Sequence, residues 1–353
     1  MRRASIPLNA PQLRHGSVFA ALDLGTNNCR LLVGVPTRDG FQVVDSFSRI
    51  VRLGDRLQST GRLGEDAMVR AIDALNSCAA RLDRRPLAAI RAVATEACRQ
   101  AANGGEFLAR VRAETGLAFE VISPREEAQL ALESCTPLLA LTARRALLFD
   151  IGGGSTELSW VRLDGPGRAP EIIGTASLPL GVVTLGERYG EASFTAAGYA
   201  AMVEECRERI VPFEQVHCIS HETRLGGVQW LGTSGTVTTL AGVALELPRY
   251  RRPLVDGVVL RSTTAAAALS FLRGLGRDGL SRHPCVGPER ADFVLPGCAV
   301  FQAICETWPM PEVTVADRGL REGLLLQLMR RRPASKEPFR PMIEAAVPTP
   351  LPA

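Results

Sequence analysis

The sequence predicts an α/β fold built from two similar domains that face each other across a cleft. Three observations predict it. A short apolar run ending in aspartate, then a glycine turn and a second run, occurs twice. The copies are Asp23-Leu24-Gly25-Thr26 and Asp150-Ile151-Gly152-Gly153, offset by 150 − 23 = 127 residues, the mark of a duplicated domain. Strand-like and helix-like stretches alternate after each turn. The chain has 353 residues, 46% hydrophobic and 22% charged, which is enough for two ordinary cores and excludes a disordered or collagen-like chain. The expected division is an N-terminal extension over 1–17, domains over 18–135 and 136–330, and a Pro-rich, disordered tail over 331–353.

Each element follows from its own pattern. Val18–Leu22 is apolar and closes on Asp23, and Gly25-Thr26-Asn27-Asn28 supplies turn chemistry. Cys29–Val35 and, after Asp39-Gly40, Phe41–Phe47 read as two further strands. Met68, Ile72, Leu75 and Ala79 recur at helical spacing and predict a helix over Glu65–Leu82. A strand over Ile90–Ala94, a helix over Glu106–Glu114 and a strand over Phe119–Ile122 follow. Ser123-Pro124-Arg125-Glu126 has the form of a capping box with proline at the first helical position.

The second unit repeats the order, with strands over Ala146–Asp150, Ser155–Leu163 and Glu171–Leu178. A helix over Ala196–Ile210, a strand over Val228–Leu231 and a helix over Thr236–Leu245 come next. Helices near Thr264–Leu275 and Asp292–Glu306, a strand over Glu312–Val315 and a helix over Arg318–Met329 complete it. Leu130–Thr142 reads as a linker between the units.

Composition narrows the function classes. The charge balance of 41 − 37 = +4 is too mild to declare a nucleic-acid or membrane partner. Lys336 is the single lysine, so 41 − 1 = 40 basic residues are arginines, which codon bias alone explains. The lysine-containing phosphate-loop motif is therefore absent, and Schiff-base chemistry has no suitable lysine. The nine cysteines are odd in number, scattered and free of C-x-x-C pairs, and most read as small buried hydrophobes. The first sixteen residues lack an apolar signal core and no run reaches membrane-span length, so a soluble cytoplasmic protein is expected. Three tryptophans and three tyrosines give no basic-aromatic interleaving for nucleic acid. His217 and His221, four apart, have the spacing of zinc ligands but no acid partner, so zinc is not expected. Tyr250-Arg251-Arg252 and Arg282-His283 read as solvated basic surface rather than a polyanion groove.

Gly152, Gly153 and Gly154 lack side chains, so their backbone amides can converge on an anion. Thr26 and Ser155 add hydroxyl donors, and Asp23 and Asp150 add carboxylates for a hard cation such as Mg²⁺, which takes one or two carboxylates plus phosphate oxygens and water. A third loop, Gly232-Thr233-Ser234-Gly235-Thr236, joins strand to helix and offers further amides. Ordinary hairpin turns need fewer glycines than Asp150–Glu157 carries. A phosphate, a cation and facing loops form one consistent picture.

Asp23-Leu-Gly-Thr-Asn27-Asn together with Asp150-Ile-Gly-Gly-Gly-Ser-Thr-Glu157 resembles the exopolyphosphatase / guanosine pentaphosphate phosphohydrolase (Ppx/GppA) family. Arg52-Leu-Gly, Ala94-Thr-Glu-Ala-Cys-Arg99-Gln, Ile122-Ser-Pro-Arg-Glu-Glu127-Ala, Leu178-Pro-Leu-Gly181-Val and Gly232-Thr-Ser-Gly235-Thr match further motifs in the family's order. The resemblance runs from about residue 18 to 325 and implies a duplicated actin-like (ribonuclease H-like) ATPase superfold. It implies Glu127 as catalytic base, Arg99 as the phosphate-gripping arginine, and Asp150 and Glu157 as metal-linked acids. It also implies a homodimer. Glu126 is the glutamate a capping box would use, leaving Glu127 free to face the cleft. Pro124 stands where the family has glycine, a change a helix start tolerates, and Gln129 stands where it commonly has arginine. Ala316–Gly323 resembles a further family motif, with Arg318 in place of a small residue.

The expectation is therefore a Mg²⁺-dependent exopolyphosphatase that removes terminal phosphate processively from inorganic polyphosphate. K⁺ is a candidate monovalent companion. The alternative is the same chemistry on guanosine pentaphosphate, and more distant ones are an actin-like small-molecule kinase or a non-catalytic nucleotide sensor.

Overall fold

Two apolar strands, each ending at an aspartate, organise the chain. The computed structural model describes residues 17–330 other than Asp39 and Pro166, so the expected extension over 1–16 and the tail over 331–353 lie outside the described residues. The first sheet contains β1 (Val18–Leu24), β2 (Asn28–Thr37), β3 (Gly40–Ile50), β4 (Leu87–Ala94) and β5 (Glu120–Val121), in the order β3-β2-β1-β4-β5. β1 is buried on both faces, runs antiparallel to β2 and lies parallel to β4. Around it lie α1 (Leu57–Thr60), α2 (Glu65–Leu82), α3 (Glu96–Gln100), α4 (Gly104–Thr115) and α5 (Pro124–Cys135). Helix α2 has the expected bounds because its apolar stripe, including Ala71, Ile72, Leu75 and Cys78, buries against the sheet.

The second sheet contains β6 (Arg145–Ile151), β7 (Thr156–Arg162), β8 (Glu171–Leu178), β9 (Val228–Thr233), β10 (Val259–Arg261) and β11 (Glu312–Ala316). Its order is β10-β11-β9-β6-β7-β8, so without the edge strand β10 it repeats the first sheet strand for strand. The expected duplicated α/β architecture is thus present, with β1 and β6 as equivalent centres. The helices here are α6 (Val182–Tyr189), α7 (Ala196–His217), α8 (Ile219–Leu225), α9 (Ser234–Ala244), α10 (Arg252–Val255), α11 (Ser262–Gly274), α12 (Gly276–Arg282), α13 (Ala291–Thr307) and α14 (Leu320–Arg330). Among the described residues, no helix is long and apolar enough to cross a membrane.

Helices α5 and α14 cross between the sheets. Leu130 of α5 joins Phe19, Ala21, Leu324 and Leu325 in one buried cluster, while Ala131, Leu132 and Cys135 join Ala146, Leu148 and Leu231 in another. Gly323 makes the crossing possible, because a Cβ there would lie 2.2 Å from the Leu130 carbonyl oxygen. Although it follows the second sheet in sequence, α14 packs on β1 and β2. The expected linker is therefore mostly structured: Leu130–Cys135 is buried helix and Thr136–Leu138 a short 3-10 turn.

The helix expected to end at Ile210 runs on through Pro212 to His217. Phe213, beyond the proline, packs edge-on to the buried Trp308 at 6.4 Å, and this burial outweighs one missing backbone bond. The helix then breaks at Cys218, which adopts φ 50°, so His217 and His221 lie on different helices.

Candidate active site

The two aspartate turns have the same local geometry. The Gly25 amide donates to the Asn28 carbonyl at 2.9 Å, and the Gly152 amide donates to the Ser155 carbonyl at 2.9 Å. Each turn is braced by the segment that follows its sheet's third strand. Val51 and Gly54 donate backbone bonds to Asn27 and Thr26, and Val182 and Val183 donate to Gly152 and Gly153. These braces are the Arg52-Leu-Gly54 and Leu178–Val182 motifs of the sequence. Among the described residues, the amides of Thr26, Asn27, Gly153 and Gly154 donate to no carbonyl of the chain, so four N–H groups are free beside the cleft.

The turns meet at the floor of a cleft of about 240 Å³ between the sheets. A Cβ at Gly154 would lie 2.7 Å from Thr26 Oγ1, and one at Gly153 would lie 3.1 Å from Asn27 Cβ. The second turn's glycines thus make room for the first turn's side chains as well as baring amides. Of the expected residues, Asp23, Gly25, Thr26, Asn27, Glu127, Asp150, Gly152, Gly153, Gly154, Ser155, Glu157, Thr233, Ser234 and Gly235 line the cleft. Gly232 and Arg99 are not among the lining residues. Gly232 serves packing, since a Cβ there would lie 2.7 Å from the Phe149 ring.

Four carboxyl groups converge. Burial raises the proton affinity of Asp23 and of Asp150. Burial, then the charge of Asp150, pushes Glu157 up to about 7. Glu127 lies well above the usual carboxylate range, first through burial and then through Glu157, Asp150 and Asp23. Its Oε2 atom is buried without a hydrogen-bond partner and lies 3.7 Å from Arg99 Nη1. The Asn27 Oδ1 atom is likewise buried and unpaired. Hard oxygen donors crowded at this charge density suit a hard cation. Among the described residues no three such groups form a ready-made cage, so a metal here would need phosphate oxygens and water to complete its shell.

Helix α5 presents Glu127 as its cap predicts. Ser123 Oγ accepts from the Glu126 amide at 3.2 Å and Pro124 occupies the first turn. The rest of the capping box is replaced, because the Glu126 carboxylate pairs with Arg91 at 2.5 Å instead of returning to the backbone. Gln129 is exposed and hydrogen-bonds Glu133 rather than entering the cleft.

Three arginines of the cleft have no role assigned from the sequence. Arg30, Arg290 and Arg321 line the cleft and, among the described residues, form no ion pair. Arg30 lies directly across the ladder from Asp23. Burial lowers the proton affinity of Arg321. Tyr250 and Arg252 are not the solvated surface expected of them. Tyr250 donates to Asp317 Oδ2 at 2.5 Å, Arg252 donates to Glu322 Oε1 at 2.7 Å, and Arg318 pairs with Asp256 at 2.9 Å. This network fixes the crossing from β11 into α14. A smaller, more apolar pocket of about 80 Å³ opens off the cleft beside Arg290, walled by Ile151, Val182, Leu272, Phe293 and Val294.

A model of the Ppx/GppA phosphatase family matches residues 34–332. A guanosine-5'-triphosphate,3'-diphosphate pyrophosphatase of Photobacterium profundum is 29% identical over 315 residues, covering 89% of this chain and 60% of that protein. The chain thus spans 60% of that relative's length. A solved Aquifex aeolicus member of the Ppx/GppA family is similar at 28% identity and TM-score 0.73, covering 88% of this chain and 97% of its own. An exopolyphosphatase of Cytophaga hutchinsonii shares the fold at 23% identity and TM-score 0.79, with 89% and 98% covered.

Proposed function

The chain belongs to the Ppx/GppA phosphatase family, and from that premise we propose that it hydrolyses the terminal phosphoanhydride of inorganic polyphosphate, releasing orthophosphate processively. The observation that carries this reading is Glu127: a half-buried carboxylate with one buried, unpaired oxygen, facing two turns whose amides are free. In this account the terminal phosphate sits between Thr26-Asn27 and Gly153–Ser155. Glu127 orients a water for in-line attack and takes its proton, and burial with the neighbouring carboxylates raises its affinity for that proton. The free amides and the Thr26 hydroxyl take up charge on the phosphate oxygens, while the Ser155 hydroxyl donates to Glu157 Oε1 and holds that carboxylate in place. Arg30, Arg290 and Arg321 hold the rest of the anionic chain.

Mg²⁺ belongs to the same proposal, with Asp23, Asp150 and Glu157 as its holders. When bound, it supplies positive charge to the reacting phosphate group. A monovalent cation such as K⁺, a homodimer and a cytoplasmic location complete the reading.

The apolar pocket beside Arg290 favours a second reading, removal of the terminal phosphate from guanosine pentaphosphate. A bare polyphosphate chain has nothing to place there, whereas a nucleoside does. The test common to both is Glu127→Ala, which should lower kcat by about 10³-fold or more with an unchanged circular-dichroism spectrum. Full activity in that variant rejects the assignment of the base.

A further inference from the structure

The Arg99 guanidinium turns away from the cleft, and its partners explain why. Nη1 donates to the Ile122 carbonyl at 2.6 Å and lies 3.7 Å from Glu127 Oε2, while Nη2 pairs with Glu96 Oε2. Glu96 itself does line the cleft. It opens α3, directly after β4, where the Thr95 amide donates to the Leu24 carbonyl beside the first aspartate turn at 3.2 Å. Its stem also lies against the second turn, since a Cβ at Gly154 would sit 3.3 Å from Glu96 Cγ. Its other oxygen accepts from Gln100 one helical turn on. Glu96 is therefore fixed at both ends, by its own helix and by the glycine turn of the other domain.

Given the phosphohydrolase proposed above, we propose that Glu96 is a positioning residue for the hydrolytic step, holding Arg99 so that the arginine steadies Glu127 instead of reaching into the phosphate path. Two acids share one arginine here. Glu96 and the Ile122 carbonyl hold its two nitrogens, and the nitrogen on Ile122 is the one nearest Glu127. Arg99 thus sets where the unpaired Glu127 oxygen stands without forming a tight ion pair that would consume its basicity. In keeping with this, Arg99 lowers the proton affinity of Glu127 by less than burial, Glu157, Asp150 or Asp23 raises it. Without Glu96, the guanidinium is free to swing onto Glu127 or into the cleft, and either move displaces the base.

The test is a double-mutant cycle on phosphate release, with Glu96→Gln as the isosteric variant and Arg99→Gln as the partner. E96Q should lower kcat by about 10- to 100-fold with KM held within about twofold, the size expected for a misplaced catalytic group. In the R99Q background the same substitution should do nothing further, because its route of action is gone. A raised KM with kcat retained, or effects that simply add, overturns the proposal. Absence of phosphate release from the wild-type protein would reject the functional reading alone. The positioning claim then rests on wild-type protein carrying ¹⁵N-arginine, with the Arg99 signal assigned by its loss in R99K. Separately resolved Arg99 Nη signals report a held guanidinium and support the proposal, and a single averaged signal overturns it.

Discussion

The aspartate turns at 23–28 and 150–155 share one backbone geometry and differ in what surrounds it. Both follow the central strand of a sheet, close with the same backbone bond and are braced by the segment after the third strand. They differ in what surrounds the aspartate. Directly across the ladder Asp23 faces Arg30, whereas Asp150 faces Glu157, and these partners are themselves 157 − 30 = 127 residues apart. One position in the ancestral unit therefore carries a cation in one half and an acid in the other. Cross-strand neighbours stand about 5 Å apart, so opposite charges there help each other and like charges repel. The first half thereby sets a cation beside its aspartate and the second half sets a second acid there. The turns also differ in bulk. A Cβ at Gly25 would meet nothing nearer than 3.6 Å, while Gly153 and Gly154 stay bare because Thr26 and Asn27 fill their space.

The braces give the largest test of this comparison. A Cβ at Gly181 would lie 2.1 Å from the Gly153 carbonyl oxygen, whereas one at Gly54 would lie 2.3 Å from the Thr26 Cγ2 methyl. Backbone cannot yield as a side chain can. Gly181→Ala should cost about 3–5 kcal/mol in urea unfolding and Gly54→Ala about 1–3 kcal/mol. Thr26→Ser removes the methyl and should rescue Gly54→Ala but not Gly181→Ala. Rescue of both would mean that the two turns are held alike.

A smaller effect tests the acid stacked on acid. Glu157 has an ordinary value of 4.5 and is pushed up to about 7 in the fold. Between those values the folded chain binds more protons than the unfolded one. Its stabilising contribution is thus full below pH 4.5 and is lost as pH rises through about 7. Glu157→Gln should flatten that part of the stability curve. In EDTA at pH 8 it should raise the melting temperature by about 2–4 °C, the shift that roughly 1 kcal/mol produces in a sizeable domain. The same variant should lose most of the stabilisation that added Mg²⁺ gives the wild type. A variant less stable than wild type under those conditions would show that Glu157 is stabilising as a charge.

What the sequence made legible follows the same physics. The duplication, the central strands and α2 could be read because each depends on local pattern: an apolar run stopped by Asp-x-Gly, or a stripe recurring over eighteen residues. Helix α3, with Arg99 and Glu96, has five residues and β10 has three, too few to show a period. The Ser123 cap was readable because it bonds three residues away, whereas the pairing of Glu126 with Arg91 spans 35 positions. Arg30 and Arg290 stand outside every motif, and Arg321 stands inside Ala316–Gly323 without a role of its own, for another reason. In a chain where 41 − 1 = 40 basic residues are arginine, no single arginine stands out until the fold shows which of them lack an acid.

One measurement tests the proposed chemistry most directly: phosphate release from long-chain polyphosphate and from guanosine pentaphosphate, side by side, with Mg²⁺ and with EDTA. The account predicts metal-dependent release, faster from polyphosphate. Faster release from guanosine pentaphosphate would move the substrate to the second reading with the same site. Release from neither, or release undiminished by EDTA, would contradict the account.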